Sequence, residues 1–140
     1  MNFSASAILL ALISTTIIFC GCSKEEKVET PEPEPVRMVT CDKIQERGGV
    51  CYEINQETPF TGLEYALYPD GQKSMETNYK DGKQHGVSTA WHENGQKSIE
   101  ANHKDGKTHG VTTWWRKNGQ KSIENNFKDG RQHGVSTMWH

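Results

Sequence analysis

The sequence predicts an all-β protein, an elongated antiparallel meander of repeated 24-residue β-hairpins in a single twisted sheet. The first observation behind this prediction is a repeat, because Gly-Gln-Lys-Ser begins at Gly71, Gly95 and Gly119, which are 24 residues apart. A constant period of this size is typical of stacked supersecondary units. The second observation is that Asn-Gly or Asp-Gly pairs separate short runs rich in Val, Thr and aromatic residues. This is the pattern of strands joined by tight turns.

The chain begins with an apolar stretch, Phe3–Gly21, which contains no charged residue and fits the hydrophobic region of an export signal. Cys22 follows it, and the run Phe19-Cys20-Gly21-Cys22 resembles the lipobox of bacterial lipoproteins. That resemblance implies a signal peptide at residues 1–21, cleavage before Cys22 and a lipid on the Cys22 sulfur. An uncleaved transmembrane anchor is the alternative, since about 20 apolar residues can span a bilayer. Both place the rest of the chain in the cell envelope, facing outside the cytoplasm. Ser23 resembles an outer-membrane sorting signal, for a host that has an outer membrane.

Residues 22–40 are predicted to be a tether. Pro and Glu alternate across Pro31–Pro35, and proline favours an extended, solvated chain. A tether of this kind would hold the folded part of the protein away from a membrane surface.

Residues 41–60 are predicted to form an N-terminal cap with a disulfide between Cys41 and Cys51. These two cysteines remain if Cys20 leaves with the signal and Cys22 takes the lipid, and an oxidising compartment favours their pairing. A metal site is the poorer interpretation, since two thiols without a nearby His make an incomplete ligand set.

Residues 61–140 contain the repeats, with full units at 61–84, 85–108 and 109–132 and a half unit at 133–140. Each full unit is predicted to hold two strands and two turns, and no segment after the apolar stretch has a convincing helical apolar period. The predicted turn glycines are Gly71, Gly82, Gly95, Gly106, Gly119 and Gly130.

Side-chain alternation favours one type of loop between the two strands of a unit. A three-residue loop with Gly95 in the left-handed region places Trp91 and Ile99 on one side of the sheet, whereas a two-residue turn would pair Ala90 with Ile99. We therefore expect a type I turn followed by a glycine bulge. The face that carries the glutamates and asparagines of the second strands is expected to be wet. The expected apolar face comprises Leu63, Leu67, Met75, Tyr79, Val87, Trp91, Ile99, Val111, Trp115, Ile123, Phe127, Val135 and Trp139.

The repeated unit also resembles a known family. The stretch Asn78–Gly86 (NYKDGKQHG) resembles the core of MORN repeats. The whole unit, with its Glu-Asn-Gly-Gln-Lys-Ser stretch, is similar to the bacterial MORN-variant repeat of proteins grouped as YwqK-type antitoxins. The resemblance extends over Arg47–His140 and includes the lead-in Thr58–Gly62. It implies an elongated antiparallel sheet that serves as a scaffold or binding surface, and it implies little about chemistry.

The repeated histidines and aspartates are the obvious candidates for chemistry. His85, His109 and His133 are each two strands from the next, about 9–10 Å, whereas zinc needs its donors about 2 Å from one ion. Asp81 and its equivalents immediately precede Gly in turns, where Asp accepts local backbone N–H bonds. The sequence contains no nucleophile motif and no phosphate-binding glycine loop. It therefore predicts no catalytic residue, no metal, no cofactor and no enzymatic activity.

Trp114 is the candidate ligand contact. It occupies a position that is Ala66, Ala90 and Met138 in the other units, and it is expected on the wet face of the sheet. An aromatic side chain exposed on such a face is a plausible contact for a ligand.

The sequence therefore predicts a membrane-anchored, non-enzymatic protein-interaction or scaffold module of the bacterial cell envelope. The expected partners are an unidentified protein and, through the N-terminal lipid, the lipid bilayer. The formal net charge of −2 gives no reason to expect nucleic acid. Two alternatives stay open: an antitoxin or immunity-type lipoprotein that neutralises a toxin, and a cell-wall or glycan-binding repeat module.

Overall fold

A computed structural model describes residues 35–140, so the predicted signal peptide, Cys22 and most of the predicted tether lie outside the described residues. The described part of the chain contains ten β-strands and one 3-10 turn at Cys41–Lys43, with no α-helix. No helix within residues 35–140 is long and apolar enough to cross a bilayer. The strands are β1 (Met38–Thr40), β2 (Ile44–Arg47), β3 (Val50–Glu53), β4 (Gly62–Leu67), β5 (Lys73–Lys80), β6 (Lys83–Trp91), β7 (Lys97–Lys104), β8 (Lys107–Trp115), β9 (Lys121–Lys128) and β10 (Arg131–Met138).

Eight of the strands form one long sheet in the order β1-β4-β5-β6-β7-β8-β9-β10. From β4 onward each strand pairs antiparallel with the next strand in the chain, so the predicted antiparallel meander is confirmed. At the other edge β1, which ends the segment predicted as a tether, pairs parallel with β4 and places Met38 opposite Leu63. Strands β2 and β3 form a separate two-stranded hairpin that was not predicted.

The Asp-Gly pairs that begin at Asp81, Asp105 and Asp129 form two-residue turns. Asp81 and Gly82 have φ of 51° and 74°, and Lys80 pairs with Lys83 across the turn. Positive φ at both central residues is the signature of a type I′ turn, whose twist matches that of the flanking strands. Asp tolerates the left-handed region better than most residues because its short side chain hydrogen-bonds locally. The equivalent pairs at Asp105 and Asp129 have the same geometry.

The second kind of turn has the predicted three-residue loop. The His92 N–H donates to the Gln96 carbonyl at 2.8 Å, the Gly95 N–H donates to the His92 carbonyl at 2.9 Å, and Gly95 has φ of 78°. This is a tight loop closed by a left-handed glycine.

The register beyond this loop differs from the prediction. Trp91 pairs with Lys97, but Ala90 pairs with Ile99, so Ser98 is an extra residue in β7. Paired residues share a face of the sheet, and one extra residue reverses the alternation that follows it. Trp91 and Ile99 therefore lie on opposite faces, and the expectation of a single apolar face was wrong.

The His-Gly dipeptide of each unit forms a second irregularity. Ala101 pairs with Thr112 and His103 pairs with Thr108, so Asn102 lies opposite the three residues 109–111. Gly110 has φ of 94° there, a conformation that residues with a Cβ rarely adopt. The Asn102 side chain donates to the Val111 carbonyl at 3.2 Å and closes the gap. The repeated His-Gly is thus a bulge in the strand that follows each Asp-Gly turn.

The hydrophobic core is small and lies mainly at the cap end of the sheet. Within residues 35–140 the buried hydrophobic residues are Phe60, Leu63 and Ala101. The Phe60 ring packs on Tyr79 with centroids 5.8 Å apart. The β2–β3 hairpin contacts the Asp81-Gly82 turn, where the Cys51 N–H donates to the Gly82 carbonyl at 2.8 Å. Because most of the array is a single layer, its two faces stay partly open to solvent.

The expected disulfide of the cap is not formed. Cys41 and Cys51 are free thiols, the first exposed and the second half-buried. Cys51 pairs with Glu46 beside the hairpin turn, whereas Cys41 lies in the 3-10 turn, five residues before Glu46. A 3-10 turn and two strand residues span roughly 12 Å. A disulfide allows only about 7 Å between its Cα atoms.

Candidate functional site

One face of the sheet carries a groove that runs across the strands. We call it the groove face, and it includes Ala90, Ile99 and Trp114, which pair with one another. Its middle row takes one mostly small residue from each strand: Glu64, Thr77, Ser88, Ala101, Thr112, Asn125 and Ser136. Larger side chains flank this row on both sides: Met75, Ile99, Trp114, Ile123 and Met138 on one side, and Tyr79, His103 and Phe127 on the other.

The middle row forms the floor of the groove. Thr77 is 2% exposed and Thr112 is 3% exposed, and Glu64 and Ala101 are also buried. A strand places residues two apart on the same face, so a small residue between two large ones is shielded by its neighbours. These four residues are therefore buried although the sheet here has a single layer, whereas Ser88 and Asn125 are half-buried and Ser136 is exposed.

Next to Trp114 the groove contains a concavity of about 230 Å³. Trp114 and Phe127 supply its aromatic surfaces. Its lining residues are Ser88, Ile99, Ala101, His103, Thr108, Thr112, Trp114 and Phe127.

Two residues that line this concavity each have a polar side-chain atom that lacks a partner within residues 35–140. The atoms are His103 Nδ1 and Thr112 Oγ1, and both are shielded from solvent, so neither is exposed in the concavity. A buried hydroxyl without a hydrogen bond costs about 1–3 kcal/mol. Desolvation by burial lowers the pKa of His103 below its usual value. The ring is therefore neutral at pH 7, so one of its nitrogens can accept a hydrogen bond.

The hydroxyl of Thr112 differs from those of the other floor residues. Thr77 Oγ1 and Ser88 Oγ lie 2.9 Å apart and bond to each other, and Ser136 Oγ donates to Asn125 Oδ1 at 2.5 Å. Thr112 lies between Ala101, whose side chain has no polar atom, and Asn125, whose Oδ1 already accepts from Ser136. The Thr112 hydroxyl is thus left without a partner by its neighbours on both adjacent strands.

The structure places Trp114 on the groove face, opposite Ile99 and Ile123, rather than on the wet face where it was expected. His103 and Thr112 were not singled out from the sequence, because only the register brings them beside Trp114. All six predicted turn glycines lie in turns with positive φ: Gly71, Gly82, Gly95, Gly106, Gly119 and Gly130.

The opposite face, which we call the charged face, carries Trp115 and the repeated glutamates. Lys97 Nζ pairs with Glu100 Oε2 and also lies 5.9 Å from the centre of the Trp115 ring. Lys121 makes the same two contacts with Glu124 and with the Trp139 ring, whose centre is 5.7 Å away. Cations of the chain itself therefore occupy the surfaces of these two indoles.

Two of the three repeated histidines lie near an aspartate of a turn. His85 Nδ1 lies 3.5 Å from Asp105 Oδ1, and His109 Nδ1 lies 3.4 Å from Asp129 Oδ1. Each His thus contacts the Asp of the following Asp-Gly turn. No group of three or more His, Cys, Asp or Glu within residues 35–140 is arranged to hold a metal ion.

The free thiol of Cys51 is not activated as a nucleophile. Burial raises its pKa above the ordinary value, and burial also raises the pKa of the neighbouring Tyr79. A reactive cysteine instead needs a lowered pKa, since the thiolate is the nucleophile.

Comparisons with known proteins identify one segment of the array. Residues 84–105 match the family model described as a MORN repeat variant. The match covers one hairpin, from Gln84 in β6 through the Gly95 loop to Asp105 after β7. Comparison with curated proteins and with solved structures found no match. The chain contains a MORN repeat variant at residues 84–105, the hairpin formed by β6 and β7.

Proposed function

We propose that the chain is a non-enzymatic protein-interaction module and that the groove face is its docking surface. The observation that carries this proposal is the groove itself, in which a partly buried floor lies between larger, mostly apolar side chains on a single-layer sheet. Concave apolar surfaces with a few polar groups are where proteins bind partners. The MORN repeat variant supports the proposal, because proteins of this repeat family are usually non-catalytic.

The location in the cell envelope is part of the proposal. It is supported by the uncharged stretch Phe3–Gly21 and by the lipobox-like run that ends at Cys22. A lipid on Cys22 would hold the module on a membrane, and the Pro/Glu-rich tether would give it reach. The docking surface would then face a partner outside the cytoplasm.

The similarity of the repeats to YwqK-type antitoxins favours a narrower version of this function. A toxin is one class of protein partner, and an envelope module would neutralise a toxin that arrives from outside the cell. Glycan binding on the charged face is less favoured, because stacking on a sugar needs an open indole and lysines of the chain already lie over Trp115 and Trp139.

Two adjacent tryptophans on opposite faces provide the test. The tagged full chain is expressed in its own host, cross-linked in the envelope and purified, alongside Trp114→Ala and Trp115→Ala. Alanine is the native residue at positions 66 and 90, which are equivalent to position 114. We expect wild type and Trp115→Ala to capture the same specific protein and Trp114→Ala to lose it. Capture by Trp114→Ala at the wild-type level would exclude the groove face as the docking surface.

A further inference from the structure

We propose that the charged face has a docking surface of its own, beside the Asp-Gly turns, which binds an extended acidic segment of a partner polypeptide with a carboxylate at every third residue. Six exposed cations form this surface, which we call the basic edge: Lys80, Lys83, Lys104, Lys107, Lys128 and Arg131. It lies on the opposite side of the sheet from the groove face, so the two surfaces can be tested separately.

The basic edge is built from like charges that face each other across the turns. The pairs are Lys80 with Lys83, Lys104 with Lys107, and Lys128 with Arg131. Like charges directly opposite each other destabilise a sheet. Lysines on edge strands can prevent aggregation, but β5 to β9 are interior strands of the sheet. Neither stability nor edge protection therefore explains the repeated pairs.

The cations of the basic edge have no acidic partner within residues 35–140. At the other turns, the lysine of each Gly-Gln-Lys-Ser stretch forms an ion pair with a glutamate. None of the six cations has a carboxylate oxygen within 4 Å, and two of the three turn aspartates, Asp105 and Asp129, face His85 and His109 instead. The edge thus presents a local surplus of positive charge, although the formal net charge of the chain is −2.

The spacing of the pairs indicates the form of the ligand. Successive turns are two strands apart, about 9–10 Å, and hydrogen bonds join them, such as the one from the Gly106 N–H to the Gln84 carbonyl at 2.9 Å. In a polyproline II segment every third side chain lies on the same side, about 9.3 Å from the last. Three such carboxylates would face the three cation pairs in turn. A β-strand would not match, because its residues three apart lie on opposite faces.

Exposed apolar side chains adjoin the basic edge and would contact the rest of the segment. Asn102 lies two residues before Lys104 in β7, so both are on the charged face, and Asn102 pairs with Val87. Val87 is 42% exposed, and Val111, which pairs with Asn126, is 39% exposed. Prolines between the acidic residues would pack on these valines and would also favour the polyproline II form.

The size of the basic edge favours a short segment. Three turns span only about 20 Å, and the glutamates of the charged face lie on the same side of the sheet. A long polyanion such as nucleic acid instead needs an extensively basic surface. At the second and third turns the edge contains a concavity of about 470 Å³, lined by Lys107, Lys128, Asp129, Arg131, Gln132 and His133. A carboxylate there would be close to cations of two turns.

The test is fluorescence anisotropy of labelled peptides with the full chain in non-ionic detergent micelles. The probe contains four repeats of Glu-Pro-Pro. One control peptide has Gln in place of Glu, and the other has the same composition with its glutamates adjacent. We expect the probe to bind about ten-fold more tightly than the Gln peptide, which three exposed ion pairs can supply. It should bind about three-fold more tightly than the peptide with adjacent glutamates, which cannot reach all three cation pairs at once.

Two triple variants with the same change in charge make the outcome specific. Replacing Lys80, Lys104 and Lys128 by Gln removes one cation from each pair and should weaken binding of the probe about three-fold or more. Replacing Lys73, Lys97 and Lys121 by Gln should leave binding nearly unchanged, because at about 0.1 M salt charges more than about 10 Å away are screened. Trp114→Ala, on the groove face, should also leave binding unchanged. Circular dichroism shows whether each variant is folded.

Other outcomes would overturn the proposal. They are equal binding of the Glu and Gln peptides, no gain from the regular spacing, or equal effects of the two triple variants. Unlabelled polyphosphate, or phosphatidylglycerol added to the micelles, could displace the probe at a lower concentration of negative charge than the unlabelled peptide does. That result would assign the basic edge to phosphate groups and exclude a polypeptide ligand. Loss of the probe by Trp114→Ala would place its binding on the groove face and leave the function proposed for that face intact.

Discussion

Residues at equivalent positions of the repeat can have different neighbours, and the glycines of the Asp-Gly turns illustrate this. Gly82 and Gly106 both have positive φ, of 74° and 82°. A Cβ on Gly82 would lie 2.3 Å from Val50 Cγ1 and 2.7 Å from the Cys51 carbonyl oxygen, because the β2–β3 hairpin packs there. A Cβ on Gly106 would meet only the Lys83 side chain, at 3.8 Å and beyond.

This difference predicts unequal effects of one substitution. Gly106→Ala should lower the free energy of unfolding by about 1–2 kcal/mol, the cost of a Cβ in the left-handed region. Gly82→Ala should lower it by about 3 kcal/mol or more, since the same strain is joined by overlap with the β3 backbone. Urea denaturation of both variants and wild type measures the difference. Equal losses would mean that the hairpin is not held against this turn.

The residues of the candidate site divide into those that a sequence can reveal and those that it cannot. Trp114 breaks the repeat, so it could be found by comparing units. Thr112 and His103 look ordinary in sequence, because their role depends on Ala101 lying opposite Thr112 and on the bulge beside His103. Their buried, unpartnered atoms are a consequence of cross-strand neighbours, which the spacing along one strand does not specify.

At the scale of the strands and turns, each unit is joined to the next by a side chain that reaches a backbone carbonyl 23 residues later. Tyr68 Oη donates to the Trp91 carbonyl at 2.7 Å. His92 Nε2 lies 3.0 Å from the Trp115 carbonyl, and the Arg116 guanidinium donates to the Trp139 carbonyl. Three different side chains therefore make the same contact between neighbouring hairpins.

Removing one of these contacts should lower the free energy of unfolding by the contribution of one hydrogen bond. Tyr68→Phe should lower the free energy of unfolding by about 1 kcal/mol, because the Trp91 carbonyl loses its partner and the ring remains. Tyr65→Phe, which removes a hydroxyl from β4 without touching this contact, is the matched control and should change stability by less than about 0.5 kcal/mol. Thermal or urea denaturation measures the free energy of unfolding of both variants and wild type. If Tyr68→Phe is as stable as wild type, the contact does not stabilise the fold.

The strands and turns also show where prediction from sequence ends. The Asp-Gly pairs, the Gly95 loop and the strand order follow from turn residues and the period of 24, and they were predictable. The bulge at Ser98 was not, because a bulge adds one residue without a distinctive sequence. That single residue separates Trp91 from Ile99 and creates the groove face. The most consequential feature of the site therefore lies where local sequence is least informative.

At the scale of residues 35–140 as a whole, the array is built from repeat units, each of which is hydrogen-bonded to the next. The Gly106 N–H donates to the Gln84 carbonyl and the Gly130 N–H to the Thr108 carbonyl, both at 2.9 Å. The Gly82 N–H donates in the same way to Phe60, which is 24 residues before Gln84. The segment before the repeats thus supplies the bond that a preceding unit would supply. Stability in such an array is close to a sum of unit and nearest-neighbour terms.

Deletion of one unit tests both the additivity of the repeat units and the docking surface. Removing residues 85–108 joins Gln84 to His109 in the same phase, so the shortened chain should fold with two fewer strands, about 9–10 Å less sheet and a lower free energy of unfolding. It should also lose the protein captured in the cross-linking experiment, because Trp114 would then lie beside β5 without Ile99, Ala101 and His103. Removing residues 85–96 deletes half a unit, so two Asp-Gly turns follow one another and the bulge at His85-Gly86 is lost, and it should prevent folding. Circular dichroism and NMR signal dispersion distinguish these outcomes, since interchangeable units require the 24-residue deletion to fold and the 12-residue deletion to fail.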